Sequence, residues 1–363
     1  MKCQINTNEL EKALKRLEVV IPKNTKLEII KNIKIEAYNE QVILTSTNAK
    51  DQLQIYIKDV MITEPGSILL NNTKNILKSF KYFKESYTEI IADNNNVTIL
   101  NNNKTLQFKI QNDVEEYPNN INFTPKHSYN YNTKDLYNRI KKVQYATSKD
   151  MDRPQLIGIH FNKSDIIAID GYRLALNTDE KLNIDNSFTI APNTYKALLK
   201  LLDKKEEKEL KIEHNNEYIK FIFDNMILIS RLLQGDYVQY NEILPKSEKI
   251  NIKLNRQELL KNNEFLYLYS KEIKNYTTKW EIDNNLNISI TTDDGIYNVN
   301  IKLERPVNEQ FIIGLNNKFV IDALKAIDQD EVCIKFTDTL KPVLIETENE
   351  KHLIMPIRLE KSY

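Results

Sequence analysis

Side chains that could form a catalytic site are sparse or scattered in this sequence. The chain of 363 residues contains six glycines and four histidines, and no glycine-rich loop of the kind that cradles phosphates is present. The histidines have no recurring partner, and the sequence shows no serine elbow, metal-type cluster or paired carboxylates. We therefore predict that the protein is not an enzyme and that it needs no cofactor or metal.

One segment, Asp170-Gly171-Tyr172-Arg173-Leu174, places a carboxylate near a guanidinium. Such a pair could serve chemistry, but an Asp-Gly step between two strand-like runs is first of all the signature of a hairpin turn. We favour the turn over a catalytic interpretation.

Lysines at helical spacing are the stronger chemical signal. In residues 72–84 an apolar stripe opposes a lysine stripe, and residues 193–204 repeat this arrangement. Outward lysines are often only solvated, but their recurrence favours contact with phosphates that ignores base sequence. The predicted phosphate-binding residues are Lys74, Lys78, Lys81, Arg139, Lys142, Lys196 and Lys200.

The elements that carry these lysines recur along the chain. Polar capping groups precede apolar helical periods at Asn6, Asn132 and Asn255, and second helix starts follow near Asn71, Asn193 and Asn316. Both markers repeat about every 120 residues, a longer period than the roughly 20 to 50 residues of a solenoid. The sequence thus predicts three tandem domains rather than a solenoid.

Each copy reads as helix, strands, helix, strands, which predicts an α+β fold with two helices packed on antiparallel sheet. Alternating segments at 41–59, 165–179 and 286–304 indicate half-buried strands. Polar connectors that contain proline separate the copies near residues 120–128 and 244–250 and are too short for flexible tethers. The predicted domains are 1–124, 125–247 and 248–363.

Composition sets the remaining limits. Basic and acidic side chains number 51 each, so total charge does not by itself indicate a nucleic-acid partner. Cys3 and Cys333 have neither metal-type spacing nor a disulfide framework, which favours two reduced thiols. Without an apolar run of about 18 residues or a charged-then-apolar leader, the expected location is cytoplasmic, with no membrane partner.

Two separated motifs resemble the bacterial DNA polymerase III beta subunit, the sliding-clamp family. The first is Ala168-Ile169-Asp170-Gly171-Tyr172-Arg173-Leu174-Ala175, and the second is Leu353-Ile354-Met355-Pro356-Ile357-Arg358-Leu359. The resemblance extends over essentially the whole chain. It implies three tandem DNA-clamp domains and a head-to-tail homodimeric ring whose helices surround duplex DNA without reading its sequence.

The resemblance also implies the partners. In the family the ring tethers the replicative polymerase for processive replication and binds the clamp loader and other proteins that carry a clamp-binding motif. Partner peptides enter an apolar cleft, in which Arg173 and Arg358 would fix the peptide's polar ends. Carried over by position, the cleft comprises Leu156, Ile169, Gly171, Tyr172, Arg173, Leu174, Val238, Ile243, Asn316, Phe319, Leu340, Pro342, Leu353, Met355, Pro356, Ile357 and Arg358.

Ring closure is predicted from the same resemblance. An edge strand around Phe108 and Ile110 would meet Leu268 and Tyr269 of the other subunit.

Departures from the family pattern leave an alternative open. Tyr172 replaces a common His, Val238 replaces a proline, Glu242 replaces a frequent Arg, and residues 360–363 extend the usual end. The alternative is a divergent clamp-like protein that binds peptides but does not close or load as a ring.

Overall fold

The structure is a computed structural model that describes residues 1–93, 95–110, 113–202, 204–270, 273–307 and 309–359. The chain forms two compact units. The first unit is Met1–Tyr137 with Ile190–Leu232, and the second is Asn138–Thr189 with Leu233–Tyr363. Residues 360–363, which extend beyond the usual end of the family pattern, lie outside the described residues.

The first third of the chain contains two helices and a series of strands. In order, these elements are β1 (Lys2–Asn6), α1 (Thr7–Leu17), β2 (Ile33–Tyr38), β3 (Gln41–Thr47), β4 (Asp51–Ile57), β5 (Val60–Glu64), β6 (Gly66–Leu70), α2 (Thr73–Ser79), β7 (Tyr87–Ala92), β8 (Asn96–Asn101) and β9 (Lys104–Lys109).

The middle third repeats this order with one strand fewer between its two long helices. Its elements are β10 (His127–Asn132), α3 (Thr133–Val143), β11 (Ile159–Lys163), β12 (Asp165–Ile169), β13 (Arg173–Thr178), β14 (Ile184–Ile190), α4 (Pro192–Leu201), β15 (Glu209–His214), β16 (Tyr218–Phe223) and β17 (Met226–Arg231).

The last third adds one short helix before the same series. Its elements are α5 (Tyr240–Ile243), β18 (Ile250–Asn255), α6 (Arg256–Ser270), β19 (Thr277–Ile282), β20 (Asn285–Thr292), β21 (Gly295–Lys302), β22 (Phe311–Asn316), α7 (Asn317–Ala326), β23 (Glu331–Phe336), β24 (Val343–Glu346) and β25 (Glu350–Ile354). Short 3-10 helices occur at Glu28–Lys31, Phe80–Tyr82, Val114–Glu116, Gln144–Ala146, Pro154–Leu156 and Lys274–Tyr276.

Each unit contains two antiparallel sheets. In the first unit the strand orders are β5-β1-β7-β8-β9 and β10-β15-β16-β17-β4-β3-β2-β6. In the second unit they are β14-β11-β12-β13-β25-β24-β23-β18 and β21-β20-β19-β22. Helices and antiparallel sheets therefore combine as the predicted α+β fold.

The sheets run across the predicted domain boundaries, which explains why three repeats form two units. Strand β17 of the middle repeat pairs with β4 of the first, with Leu228 opposite Leu53. Strand β13 of the middle repeat pairs with β25 of the last, with Leu174 opposite Leu353. Backbone pairing thus divides the middle repeat between the units.

Asparagine caps begin several of the helices, as their sequence predicts. The Asn6 Oδ1 accepts hydrogen bonds from the backbone N–H groups of Asn8 and Glu9 at 3.1 and 3.2 Å. Asn132 and Asn255 cap α3 and α6 in the same manner. Each cap satisfies backbone donors that have no partner within the helix.

Strands directly before the first helices were missing from the sequence-based prediction. These strands are β1, β10 and β18, and each ends at a capping asparagine. Polar residues obscure the apolar pattern in β10 (His127–Asn132), where Tyr131 is buried between the exposed Asn130 and the half-exposed Asn132. Pairing with β7, β15 and β23 supplies the stability that local preference does not.

No helix in the described part of the chain is long and apolar enough to cross a membrane. The apolar stripes of the helices are buried, as Ile76 of α2 and Leu198 of α4 show. One large core in the second unit surrounds Trp280, which is fully buried between strands and helices of the last repeat.

Candidate peptide cleft and basic helices

The turn between β12 and β13 presents the first motif. Gly171 has φ +93°, a left-handed conformation that favours glycine. The Asp170 Oδ1 accepts hydrogen bonds from the backbone N–H groups of Tyr172 at 2.9 Å and Arg173 at 3.0 Å. The turn is thus held by its own aspartate. Tyr172, which lies in this turn, is 67% exposed.

The second motif lies beside the first because β25 pairs with β13. Leu353 is opposite Leu174, and the Met355 N–H donates to the Tyr172 carbonyl oxygen at 2.8 Å. Further along, the Ile357 N–H donates to the Gly314 carbonyl oxygen at 2.8 Å. Residues nearly 180 positions apart in the chain therefore form one surface.

Gly314 is needed for this arrangement. A Cβ atom at this position would lie 2.4 Å from the Ile357 carbonyl oxygen, a distance shorter than any ordinary contact. A larger residue would push the closing segment away from β22.

The floor of the candidate cleft is a buried apolar cluster. Leu156, Ile169, Leu174 and Leu353 belong to it, and Val238 packs against it half-buried. Its other members are Ile167, Leu176 and Tyr240, with Tyr237 and Leu244 packed alongside. These side chains fix the shape of the floor, and their burial leaves little of their surface for a ligand.

The accessible apolar surface comes from other predicted residues. Tyr172, Leu340, Ile243 and Met355 are 67%, 59%, 39% and 36% exposed. Pro342, Phe319, Pro356 and Ile357 are half-buried, and Arg358 is exposed. Exposed apolar groups around a preformed floor are typical of a peptide-binding site.

Asn316 differs from the other predicted cleft residues. It is 7% exposed and its Oδ1 accepts a hydrogen bond from the Phe319 N–H at 3.2 Å. Its role in the structure is to cap α7 and thereby place the Phe319 ring.

Arg173 is enclosed by protein groups. Its Nε and Nη1 atoms donate to Asp170 Oδ2 at 2.9 Å and Asp322 Oδ2 at 2.7 Å, and Nη2 donates to the Tyr145 carbonyl oxygen at 2.7 Å. Its guanidinium carbon also lies 4.3 Å from the centre of the Phe319 ring and 5.1 Å from that of Tyr145. The sequence pointed to Asp170 and Arg173 as a pair, but gave no signal for Tyr145 or Asp322.

A buried polar chain continues from Tyr145. The Tyr145 hydroxyl lies 2.7 Å from His352 Nδ1, and burial raises the pKa of Tyr145. His352 Nε2 is 3.6 Å from Glu350 Oε2, and Glu350 also binds Lys142. Burial opposes ionisation of Glu350, but its contacts with His352 and Lys142 prevail and lower its pKa.

The predicted phosphate-binding residues fall into two groups. Lys74, Lys78 and Lys81 on and after α2, with Lys196 and Lys200 on α4, are exposed. Within the described residues, no ion pair to a carboxylate engages any of these five. Lys81 Nζ does lie 4.6 Å from the centre of the Tyr82 ring.

Arg139 and Lys142 form the second group. Arg139 Nη1 donates to Asn177 Oδ1 at 2.6 Å, and Nη2 lies 3.2 Å from Asp179 Oδ2. Lys142 binds Glu350 and lies 2.9 Å from Asp328 Oδ2. DNA contact by Arg139 and Lys142 stays a prediction, but local carboxylates already compensate both charges.

The predicted interface residues lie at one sheet edge and on one helix. Strand β9, which carries Phe108 and is followed by Ile110, is the last strand of its sheet, and both side chains are half-exposed. On α6, Leu268 is 63% exposed, while the Tyr269 ring stacks on that of Tyr297 with centres 3.8 Å apart. An apolar edge of this kind favours pairing with another chain.

Two exposed residues extend the apolar surface of the last repeat beyond the prediction. Phe265 of α6 is 44% exposed and Ile296 of the edge strand β21 is 68% exposed. Both belong to regular apolar patterns, so only their exposure distinguishes them from core residues.

Family models match almost the whole chain in three successive parts. They describe the N-terminal, central and C-terminal domains of the DNA polymerase III beta subunit, at residues 1–122, 130–239 and 241–358. The chain belongs to the bacterial beta sliding-clamp family. This confirms the resemblance read from the two motifs and the fold class of three tandem clamp domains. The domain boundaries at 124/125 and 247/248 stay a prediction.

Individual relatives agree with this family. The beta sliding clamp of Halalkalibacterium halodurans is 29% identical over 377 residues, which cover 97% of this chain and 96% of the relative. The crystal structure of the Bacillus subtilis DNA polymerase sliding clamp is similar with a TM-score of 0.92 and 25% identity, covering 99% of this chain and 100% of that one. A Bartonella birtlesii sliding clamp bound to griselimycin has a TM-score of 0.90 and 21% identity, with coverage of 99% and 100%.

Proposed function

We propose that this chain closes as a head-to-tail homodimeric ring around duplex DNA and tethers the replicative polymerase, the clamp loader and other proteins with clamp-binding motifs. The main support is the full set of three clamp domains, matched from residue 1 to residue 358. Two copies would supply the six domains of a ring, whereas a peptide-binding module needs only the part that carries the cleft.

The exposed lysines of α2 and α4 support the DNA partner. Lysine side chains that are not paired with carboxylates can contact DNA phosphates and thereby release the counterions condensed on the DNA. Because no base-reading fork accompanies them, the contact would be independent of sequence and would permit sliding.

The apolar edges support closure. Phe108 and Ile110 lie at the β9 edge of one sheet, and Leu268 and Tyr269 lie on α6 of the other unit. Head-to-tail pairing of such different surfaces is heterologous, and in a ring of two it closes without leaving a free edge.

Retention on DNA would arise from encirclement rather than from chemistry. A ring raises the effective concentration of a tethered polymerase at the template, so dissociation is followed by rapid rebinding. The proposal therefore requires neither a catalytic residue nor a cofactor, and it places the protein in the cytoplasm with bacterial DNA.

Retention on nicked circular DNA, before and after the circle is cut, tests the ring. Protein loaded by its clamp loader should remain on the circle in high salt and leave once the DNA is linear. Equal retention on both forms would contradict encirclement. A monomeric mass at every concentration would instead favour the clamp-like peptide-binding alternative.

Closure can be tested separately with Phe108→Asp. A carboxylate on this edge should be costly to bury, so we expect a dimer dissociation constant raised by about a hundredfold or more. Gln107→Asp, an exposed neighbour on β9, is the matched control. Similar weakening by both variants would argue against a specific role for the Phe108 face.

A further inference from the structure

Arg173 and Arg358 enter the candidate cleft with the same predicted role but in different surroundings. The Arg173 side chain is 13% exposed and bound to two carboxylates. Arg358 is exposed, and no carboxylate among the described residues is paired with it. The difference decides which arginine is available to a ligand.

The charge balance around Arg173 opposes a third carboxylate. One guanidinium faces both Asp170 and Asp322, so the ionised group of three carries a net negative charge. A peptide carboxylate would be repelled by that group, in which the two aspartate oxygens already lie 2.7 and 2.9 Å from the guanidinium nitrogens.

The contacts of Arg173 connect three separate segments. Asp170 belongs to the β12–β13 turn, Asp322 to α7, and the Tyr145 carbonyl to the Gln144–Ala146 helix. The stacked Phe319 ring is itself a predicted cleft residue on α7. A planar guanidinium suits this task because its donors diverge in one plane while both faces accept aromatic rings.

We propose that Arg173 is a positioning residue, which holds the Gly171–Tyr172 turn against α7 and does not bind the charge of a partner peptide. The inference rests on the proposed function, since it requires peptides to bind this cleft. Loss of Arg173 would remove the link between the turn and α7 and the contact with the Phe319 ring together, because the same guanidinium makes both contacts.

Peptide affinity measured with and without a ligand carboxylate tests this role. The probes are a fluorescent apolar peptide, made with a free and with an amidated carboxyl terminus, and griselimycin. We expect Arg173→Gln to weaken both peptide forms by the same factor, about tenfold, because it deforms the cleft rather than removing a charge contact. Any loss specific to the free acid should appear in Arg358→Gln, the matched control.

Asp322→Asn provides a second variant outside the lining of the cleft. It should weaken the same probes, and its effect should not add to that of Arg173→Gln, since both remove one interaction. Arg173→Lys should restore affinity only partly, because an ammonium keeps the charge but cannot span all three acceptors. Thermal unfolding must show that each variant is folded at the temperature of the binding measurement.

The outcomes separate the two proposals. If neither probe binds the unmodified protein, the peptide-binding cleft fails and the role of Arg173 fails with it. If the unmodified protein binds but Arg173→Gln weakens only the free acid, or Asp322→Asn has no effect, the cleft stands and the positioning role is overturned. Full affinity in Arg173→Lys would likewise contradict the positioning role, because it would show that only the positive charge of Arg173 is needed.

Discussion

The sequence predicts phosphate contact for basic side chains of α2, α3 and α4, but these side chains have different environments in the structure. On α2 and α4 the lysines are exposed and free of carboxylate partners among the described residues, whereas Arg139 and Lys142 of α3 are bound to carboxylates. A solvated cation remains available for phosphate and is screened by salt. A paired cation instead stabilises its own unit. The same residue type therefore supports binding in one place and folding in the other.

The largest effect that could break this comparison is expected from the exposed group. Replacing Lys74, Lys78, Lys196 and Lys200 by Glu should weaken DNA association about a thousandfold, and should flatten the slope of log affinity against log salt by roughly 3 to 4. Titration of nicked circular DNA at several salt concentrations measures both quantities. Peptide affinity should not change, and undiminished DNA association would show that α2 and α4 do not face DNA.

The paired group should respond in stability instead. Lys142→Gln leaves Glu350, which is 1% exposed, without its cation, and should lower the free energy of unfolding by about 3 kcal/mol. Denaturant unfolding measures this change, and Lys141→Gln is the control because Lys141 is exposed. A stable Lys142→Gln protein with strongly reduced DNA affinity would remove the distinction between the two groups.

A smaller effect is expected from the buried His160, which should make stability depend on pH, whereas the exposed lysines should make DNA binding depend on salt. Burial lowers the pKa of His160 to about 4, and its Nδ1 lies 2.9 Å from Thr189 Oγ1. The unfolded chain takes up this proton near pH 6.5 while the folded chain does not, so stability is lost as pH falls from 6.5 toward 4.

Between pH 7 and pH 5 this loss should reach about 2 kcal/mol. His160→Gln cannot titrate and should flatten the dependence by that amount, as measured by denaturant unfolding at each pH. His127→Gln, at a half-exposed position on β10, is the control. Parallel pH profiles for the unmodified protein and His160→Gln would mean that His160 does not contribute.

Predictions from the sequence succeeded where the pattern is local and repeated. The helix starts at Asn6, Asn132 and Asn255 depend on a capping side chain and an apolar period, both of which lie within a few residues. The hairpin at Asp170-Gly171 depends on a dipeptide that tolerates a positive φ. Such elements can be predicted because the residues that begin the helix or form the turn are close together in the sequence.

Prediction failed where stability comes from distant strands. The first strand of each repeat was missed: β1 and β10 are partly polar, β18 alternates apolar and polar residues but was still overlooked, and all three are held by pairing with strands more than 70 residues away. The roles of Arg173 and Lys142 were equally hidden, since their partners Asp322 on α7 and Glu350 on β25 are remote in the chain and come near them only in the tertiary structure.

The sequence alone determined the triplicated domain, the α+β class and the family, because periodicity, caps and short motifs are properties of neighbouring residues; the cleft residues stay a prediction from that family resemblance. Only the tertiary structure decided which charges remain free. That outcome depends on distances between side chains far apart in the chain. A cation next to a buried carboxylate has its charge compensated and attracts a partner's phosphate only weakly.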